Sequence, residues 1–240
     1  MFKLFKFAKS KINSLYCLLT NSILKKPFKF FKEYIRYYSL RLGKSNLKSY
    51  SQAGQDKFVI TMLQNKFQGK YIEIGAFEPI GLNNTYILET KYDWSGFSLD
   101  IEERYVKNFN LTRRNKCLLA DGTDFKYHEQ IKKIWGDIDR IDYLQVDCDP
   151  AETTYKCLCA LPLDKVRFSV ITFETDYYIS GNKIRTLSRE KLKQYGYKLV
   201  ASDVCYLNNP FEDWYVDPQF IDSSIFEKYI CNLKEGKYIC

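Results

Sequence analysis

The chain has 240 residues, of which 45% are hydrophobic and 28% are charged, and its formal net charge is +8. This length and composition favour one globular domain with an appendage. The charge is uneven, because residues 1–50 contain 12 Lys or Arg and one acid, whereas residues 51–240 contain 25 basic and 28 acidic residues. The mildly acidic body argues against a nucleic-acid interface there, and the basic segment is suited to an anionic surface.

The cysteine pattern argues against a structural zinc site. The eight cysteines, at positions 17, 117, 148, 157, 159, 205, 231 and 240, form no C-x-x-C pair, and His128 is the single histidine. Several cysteines lie within apolar runs that are typical of buried, reduced thiols. We therefore predict a reducing, cytoplasmic location. A secreted disulfide protein is the weaker alternative, because no convincing signal peptide is present.

Residues 1–48 are predicted to form a basic amphipathic helical extension. Apolar residues recur there at helical spacing, and Pro27 interrupts the pattern between two segments. Polar residues break the apolar runs before they reach the length of a membrane span. Two interpretations stay open: a helix that lies on an anionic membrane surface, or an extension that packs on the body or on a partner.

Residues 49–240 are predicted to form one Rossmann-like domain, because strand and helix patterns alternate along them. The strands are expected at Lys70–Ile74, Gly96–Leu99, Lys116–Leu119, Ile141–Val146, Phe168–Phe173 and Lys198–Val204. The helices are expected at Lys57–Phe67, Asn84–Lys91, Glu102–Thr112, Tyr127–Trp135, Ala151–Leu161 and Ser188–Tyr195. This alternation predicts an α/β fold with a doubly wound, mostly parallel sheet and helices on both faces.

Acidic residues recur where predicted strands end. They are Glu73, Asp100, Asp121, Asp147 and Glu174. In a doubly wound sheet, the carboxyl ends of the parallel strands meet at one edge, where the ligand crevice lies. Some of these acids are expected to be ordinary turn formers, but their recurrence predicts a ligand site at this edge.

The turn after the first predicted strand disfavours a dinucleotide. It contains Gly75 and Gly81 but lacks the G-x-G-x-x-G spacing that presses a helix N-terminus on a pyrophosphate. A nicotinamide enzyme is therefore disfavoured. A ligand without phosphate suits the acidic edge better, because the sulfonium and ammonium groups of S-adenosylmethionine would be attracted to Glu73.

Several segments, in order along the chain, resemble the FkbM-type methyltransferases, a family within the class I S-adenosylmethionine-dependent fold. They are Ser51–Asp56, Glu73–Ala76, Pro79, Asn84–Thr85, Trp94–Gly96 followed by Asp100, Ile141–Asp147 continuing to Glu152, and Phe173–Thr175. The resemblance covers about residues 51–205, and it implies a methyltransferase with S-adenosyl-L-methionine as its cofactor.

The resemblance also implies positions for the methionine end of the cofactor. Glu73, Gly75 and Ala76 would line that end. Asn84 and Thr85 would cap the following helix close to it.

For the adenosine end, the resemblance implies three further residues. Asp100 would hold the ribose hydroxyls, Ile101 would flank the adenine, and Asp121 would lie near the adenine amino group.

The acceptor side departs from the family pattern. The family often reads Asp-x-Glu-Gly-x-Glu after the fourth strand, whereas this chain reads Asp147-Cys-Asp-Pro-Ala-Glu152. Asp147 would face the methyl group as a general base, with Asp149 and Glu152 assisting. Alternatively, Asp147 caps the next helix, and the other two acids complement its dipole. Glu174 and Asp176 are candidates for the acceptor pocket or for turn and surface roles.

The sequence thus predicts metal-free methylation of a hydroxyl on a glycan or small metabolite, with no nucleic-acid partner and no metal site. The alternative is a non-catalytic Rossmann-like binding or scaffold protein that its basic N-terminus tethers to a membrane surface. The aromatic and acidic run Phe211–Pro218 would either close over a polar acceptor or pack as a C-terminal segment, and packing is favoured.

Overall fold

The computed structural model describes residues 49–207 and 209–230. The helical extension predicted at residues 1–48 lies outside this part of the chain. Within the described residues, no helix is both long and apolar enough to cross a lipid bilayer.

The described chain alternates between helices and strands. The strands are β1 (Lys70–Ile74), β2 (Ser95–Asp100), β3 (Lys116–Leu119), β4 (Arg140–Val146), β5 (Arg167–Glu174), β6 (Lys198–Tyr206) and β7 (Asn209–Val216). The α-helices are α1 (Gln55–Met62), α2 (Tyr86–Tyr92), α3 (Glu103–Thr112), α4 (Tyr127–Trp135), α5 (Ala151–Ala160), α6 (Tyr177–Ser180), α7 (Asn182–Gln194) and α8 (Ser223–Phe226). A 3₁₀ helix follows at Glu227–Tyr229.

These strands form one sheet in the order β3-β2-β1-β4-β5-β7-β6. Strands β1 to β5 pair in parallel, whereas β7 is antiparallel to both of its neighbours. The chain winds outward in one direction from β1 and in the other direction from β4. This arrangement confirms the predicted Rossmann-like, doubly wound fold, and it brings the carboxyl ends of β1, β2, β4 and β5 to one edge.

Two apolar cores cover the two faces of the sheet. On β1, Ile72 and Ile74 belong to one core and Tyr71 to the other, as the alternation of a strand requires. Glu73 therefore shares the face of Tyr71, where α1 and α2 pack. This placement buries the acid at the end of β1 instead of exposing it at a turn.

Two predicted helix boundaries are wrong by more than two residues. The first predicted helix, Lys57–Phe67, runs instead from Gln55 to Met62, because Gln64 and Asn65 take positive φ angles of 50° and 59° that end it. The helix predicted at Ser188–Tyr195 begins six residues earlier, at Asn182. Its buried face already includes Ile184, so the amphipathic pattern starts before the predicted boundary.

The aromatic and acidic run Phe211–Pro218 was not predicted as a strand. Most of it forms β7, inserted between β5 and β6. Every residue from Phe211 to Val216 is buried, because both faces of this strand are covered. The favoured interpretation, packing, agrees with this position, and the alternative of a segment that closes over an acceptor does not.

Candidate functional site

A cavity of about 740 Å³ lies at the carboxyl edge of the sheet, between the ends of β1, β2, β4 and β5. This volume is ordinary for a small-molecule site. Among the described residues that line the cavity, eight are acidic and none is basic. The acids are Glu73, Asp100, Glu102, Asp121, Asp147, Asp149, Glu174 and Asp176. Such a lining attracts cationic ligands and repels phosphates.

The turn after β1 is built around Gly75. Its φ is +83°, and a Cβ placed there would lie 1.6 Å from the backbone oxygen of Asp147. Both Gly75 and Ala76 donate their backbone N–H groups to the oxygen of Leu99, at 3.0 Å each. Only glycine fits between the ends of β1 and β4, so the turn forms a tight edge of the cavity.

Glu73 lines the cavity, but its carboxylate is held by other protein groups. It accepts hydrogen bonds from Ser98 Oγ at 2.7 Å, Thr85 Oγ1 at 3.1 Å and Asn83 Nδ2 at 3.2 Å. Burial raises the pKa of this carboxyl, and Arg113 opposes that rise. Glu73 therefore fixes the turn and contributes negative potential to the cavity wall.

Thr85 occupies the N-cap position of α2, but the capping hydrogen bonds predicted for Asn84 and Thr85 are not made. Thr85 precedes α2, but its hydroxyl contacts Glu73 and Asn83 and makes no capping bond. The hydroxyl donates to Glu73, and its oxygen accepts from Arg113 Nη2 at 3.1 Å instead of from a helix amide. Asn84 lines the cavity, is 5% exposed, and has no hydrogen-bond partner for its Oδ1. A ligand donor is a natural partner for such a buried acceptor.

The predicted adenosine residues also line the cavity. Asp100, at the end of β2, accepts hydrogen bonds from the N–H of Phe77 at 2.9 Å and of Glu102 at 2.8 Å. Ile101 is 68% exposed and so presents an apolar surface to a ligand. Hydrogen bonds from Thr123 lower the pKa of Asp121. Of the eight predicted cofactor-binding residues, Thr85 is the one that does not line the cavity.

Four acids crowd the other end of the cavity, after β4 and β5. They are Asp147, Asp149, Glu174 and Asp176. Carboxylate oxygens of the last three lie within 4.8 Å of one another. Glu152, which was predicted to assist Asp147, is exposed in the first turn of α5 and does not line the cavity. Because α5 begins at Ala151, the helix carries Glu152 away from the site.

Buried glutamates continue this acidic end into the protein. Glu174 is 8% exposed and lies directly opposite Glu212, which is 1% exposed, in the β5–β7 pair. Glu212 accepts hydrogen bonds from Gln55 Nε2 at 2.8 Å and Trp214 Nε1 at 2.6 Å. Like charges opposite each other are unfavourable, so protonation relieves the pair.

The pKa directions agree with this protonation. Burial, followed by the charge of Asp147, raises the pKa of Glu174 well above its usual range. Burial raises the pKa of Glu212 to about 8 and that of Asp176 to about 6. Burial also raises the pKa of Asp147. The acids at this end therefore share protons near neutral pH.

Sequence patterns did not identify Arg113, Gln52 or Gln145. The Arg113 side chain is fully buried, forms an ion pair with Glu89 at 3.0 Å, and donates to Asn83 Oδ1. Gln52 and Gln145 line the cavity, and the Oε1 of Gln145 lacks a hydrogen-bond partner. Gln52 lies within the Ser51–Asp56 segment, so the family resemblance of that segment could have indicated it as a site residue. A single arginine in a loop carries no comparable signal.

No family model matches this chain, and no curated protein sequence matches it. Among solved structures, a TehB-like SAM-dependent methyltransferase from Corynebacterium glutamicum is 12% identical over 80% of this chain and 100% of its own, with a TM-score of 0.48. The N-terminal domain of EvdMO1, solved in the presence of SAH and D-fucose, is 11% identical over 71% and 83%, with a TM-score of 0.47. Fibrillarin from Aeropyrum pernix, in complex with S-adenosyl-L-methionine, is 10% identical over 68% and 76%, with a TM-score of 0.42. These likenesses concern the fold and assign no chemistry to this chain.

Proposed function

We propose that this protein is an S-adenosyl-L-methionine-dependent methyltransferase of the FkbM type that methylates a hydroxyl on a glycan or small metabolite. The observation that carries the proposal is the cavity at the carboxyl edge between β1 and β4, where the described part of the chain contributes eight acidic side chains and no basic one. The cofactor carries a sulfonium and an ammonium group and no phosphate. Its charge therefore suits this lining better than that of a nucleotide.

The residues of the cavity fit the two ends of this cofactor. At the methionine end, Gly75 allows the turn after β1 to pass close to the backbone of Asp147, and Asn84 offers an unpaired oxygen to an ammonium group. At the adenosine end, the carboxylate of Asp100 has remaining lone pairs for ribose hydroxyls. Ile101 and Asp121 complete this end beside it.

The proposed reaction is an in-line displacement with Asp147 as general base. When bound, S-adenosyl-L-methionine supplies a methyl group that its positive sulfur activates. Asp147 takes the proton of the attacking hydroxyl, and the raised pKa of its carboxyl makes it a stronger base. Glu174 stands beside it as a protonated acid, so that one negative charge instead of two faces the acceptor. The other residues of the site would align the acceptor hydroxyl with the methyl group.

The rim beside these acids suits a polar acceptor that also has apolar surface. Tyr178, Asp149 and Asp176 line the cavity here, and Tyr178 is 48% exposed. A tyrosine ring can cover the apolar face of a sugar while carboxylates accept hydrogen bonds from its hydroxyls. This combination supports a glycan or a hydroxylated metabolite as the acceptor. The acidic side chains that the described residues place in the lining repel phosphates, which supports an acceptor other than a nucleic acid.

We also propose a cytoplasmic location, with residues 1–48 either lying on an anionic membrane surface or packing on the body or a partner. The basic charge of residues 1–50 supports the first alternative. Membrane fractionation of the full chain and of a chain that lacks residues 1–48 distinguishes the two. Equal recovery of both chains with membranes would count against the surface helix.

The function is tested by binding and by transfer of label. Calorimetry with S-adenosylhomocysteine (SAH) measures cofactor binding, and mass spectrometry with labelled S-adenosyl-L-methionine and cell glycan extracts identifies the product. Asp147→Asn is expected to retain SAH binding and to lose transfer, because it removes the base but keeps the shape. Absence of SAH binding, together with indifference to Asp100→Ala, would favour the non-catalytic scaffold.

A further inference from the structure

Two cysteines lie in contact beside the cavity. Cys148 follows Asp147 in the loop after β4, and Cys157 lies on α5. Their sulfur atoms are 3.9 Å apart, both are free thiols, and both residues line the cavity. Cys148 is partly exposed, whereas Cys157 is fully buried. The pair is therefore accessible from the cavity through Cys148.

The backbone already holds the two residues in position. The N–H of Cys148 donates to Thr154 Oγ1 at 3.0 Å, and the same hydroxyl donates to the oxygen of Cys148. Thr154 lies on α5, about one turn before Cys157. A disulfide requires an S–S distance of about 2.05 Å, so the sulfurs need to approach by roughly 2 Å. Rotation of the two side chains supplies most of such a movement.

The sulfurs lie behind two turns that shape the cavity. A Cβ at Gly75 would be 3.5 Å from the sulfur of Cys148, and a Cβ at Gly122 would be 3.0 Å from the sulfur of Cys157. Gly122 also lines the cavity. Since packed interiors transmit small displacements, closing a bond between these sulfurs would shift the cavity wall beneath both turns.

We propose that Cys148 and Cys157 form an oxidation site, where a reversible disulfide closes beside the cavity and weakens binding of the S-adenosyl ligand. The weakening of binding rests on the proposed function, whereas formation of the disulfide does not. In a reducing compartment such a bond would be transient, and thiol exchange would reverse it.

The chemistry balances with a peroxide as the oxidant. One of the two sulfurs, after loss of its proton, attacks one peroxide oxygen, the O–O bond breaks, and the leaving oxygen is protonated to water or an alcohol. The other sulfur then attacks the sulfenic sulfur, the S–O bond breaks, and water leaves with the second proton. The two cysteines together lose two electrons, which reduce the peroxide.

The experiment uses the purified full-length protein, hydrogen peroxide as the oxidant and SAH as the ligand. After oxidation and alkylation, the chain is expected to carry two alkyl groups fewer than the reduced and alkylated chain, and peptide mapping should join Cys148 to Cys157. Calorimetry should show an affinity for SAH about tenfold lower after oxidation, and a dithiol reductant should restore it.

Three variants separate this pair from other thiols. Cys148→Ala and Cys157→Ala should each abolish the mapped disulfide and the response of SAH affinity to peroxide. Cys159→Ala is the matched control, because Cys159 is exposed on the same helix and does not line the cavity. This control should behave as the wild type does, and circular dichroism checks that all three variants are folded.

The possible outcomes each decide a separate point. A disulfide between other cysteines would overturn the pairing. The absence of any disulfide, under peroxide treatment that does oxidise the exposed Cys159, would overturn it too. A mapped Cys148–Cys157 bond with unchanged SAH affinity would overturn the effect on binding. If the reduced protein fails to bind SAH, the methyltransferase proposal fails, and the mapped bond still decides the pairing.

Discussion

The carboxylates at the two ends of the cavity lie in different environments. After β1 and β2, Glu73 and Asp100 each accept at least two hydrogen bonds from neighbouring protein groups. After β4 and β5, oxygens of Asp149, Glu174 and Asp176 crowd within 4.8 Å of one another. In the described part of the chain, no Lys or Arg forms an ion pair with these three. Glu73 and Asp100 are thus hydrogen-bonded before a ligand arrives, whereas the acids of the second end depend on protons or a ligand.

This difference suggests separate tasks for the two ends. Hydrogen-bonded carboxylates hold a fixed geometry, which suits recognition of a constant cofactor. Crowded buried acids have raised pKa values, which suits exchange of protons with an acceptor. We therefore expect substitutions at the first end to change binding and structure, and those at the second end to change pH dependence.

The largest effect is expected at Gly75, which joins the two ends. Gly75→Ala would place a Cβ 1.6 Å from the backbone oxygen of Asp147 at a φ of +83°. The clash and strain should lower the free energy of unfolding by about 3 kcal/mol or more, or prevent folding. Urea denaturation measures the loss.

Gly54→Ala provides the matched control for this change. Gly54 has a φ of +93°, but a Cβ there would meet no atom within 4 Å. Gly54→Ala therefore isolates the backbone strain, and it is expected to lower the free energy of unfolding by about 1–2 kcal/mol. Equal losses in the two variants would show that the approach of Gly75 to β4 is not needed for stability.

The next largest effect is expected at Asp100, for cofactor affinity. Asp100→Ala should weaken SAH binding about 10-fold to 100-fold, because a hydrogen bond to a charged group contributes about 1.5–3 kcal/mol. Calorimetry measures the affinity. Glu152→Ala is the control, since Glu152 is exposed outside the cavity and should leave affinity unchanged. A comparable loss in both variants would contradict the assignment of the adenosine end.

The location of the cavity at the carboxyl edge was predictable because its signal is local. Each buried strand is an apolar run, and an acid at its end marks the carboxyl edge, as at Asp100 and Asp147. Doubly wound connectivity then brings these ends together. The same reasoning placed β1, β3 and α4 at their observed boundaries.

What escaped prediction depends on contacts between distant segments. Arg113 reaches Glu89, 24 residues away, and no local pattern indicates that partner. Glu212 lies opposite Glu174 only because β7 enters the sheet between β5 and β6. Strand order of this kind follows from packing of the whole sheet. The sequence alone therefore indicated acids at the edge without distinguishing the satisfied from the crowded ones.

A different effect, on the pH dependence of stability, is expected from Glu212. Its pKa of about 8 lies above the usual value of 4.5. Between these pH values, the unfolded chain ionises while the folded protein keeps the proton, so stability falls as pH rises. The slope is at most about 1.4 kcal/mol per pH unit for one group. Below pH 4.5, this contribution to stability is fully present.

Glu212→Gln should remove this part of the decline. Gln keeps an oxygen for the hydrogen bonds from Gln55 and Trp214, which both meet the same Oε2. Urea denaturation from pH 5 to 8 should show a shallower decline than in the wild type. Asp213→Asn is the control on the next residue, because Asp213 pairs with Arg189 at 2.7 Å and its loss should destabilise throughout this range. Parallel curves for wild type and Glu212→Gln would refute an uncharged Glu212.

The smallest effect is expected from removal of metal ions. Dialysis against a chelator, and then addition of Mg²⁺ or Ca²⁺, should change SAH affinity by less than about twofold. The spacing of Asp149, Glu174 and Asp176 would allow a cation to bridge them, but burial already favours the protonated form of Glu174. A proton on Glu174 removes the charge that a cation would neutralise. Stoichiometric metal binding that Glu174→Gln abolishes would reverse this conclusion. A bound cation would then neutralise the acids of the second end, and these acids, like Glu73 and Asp100, would have fixed partners.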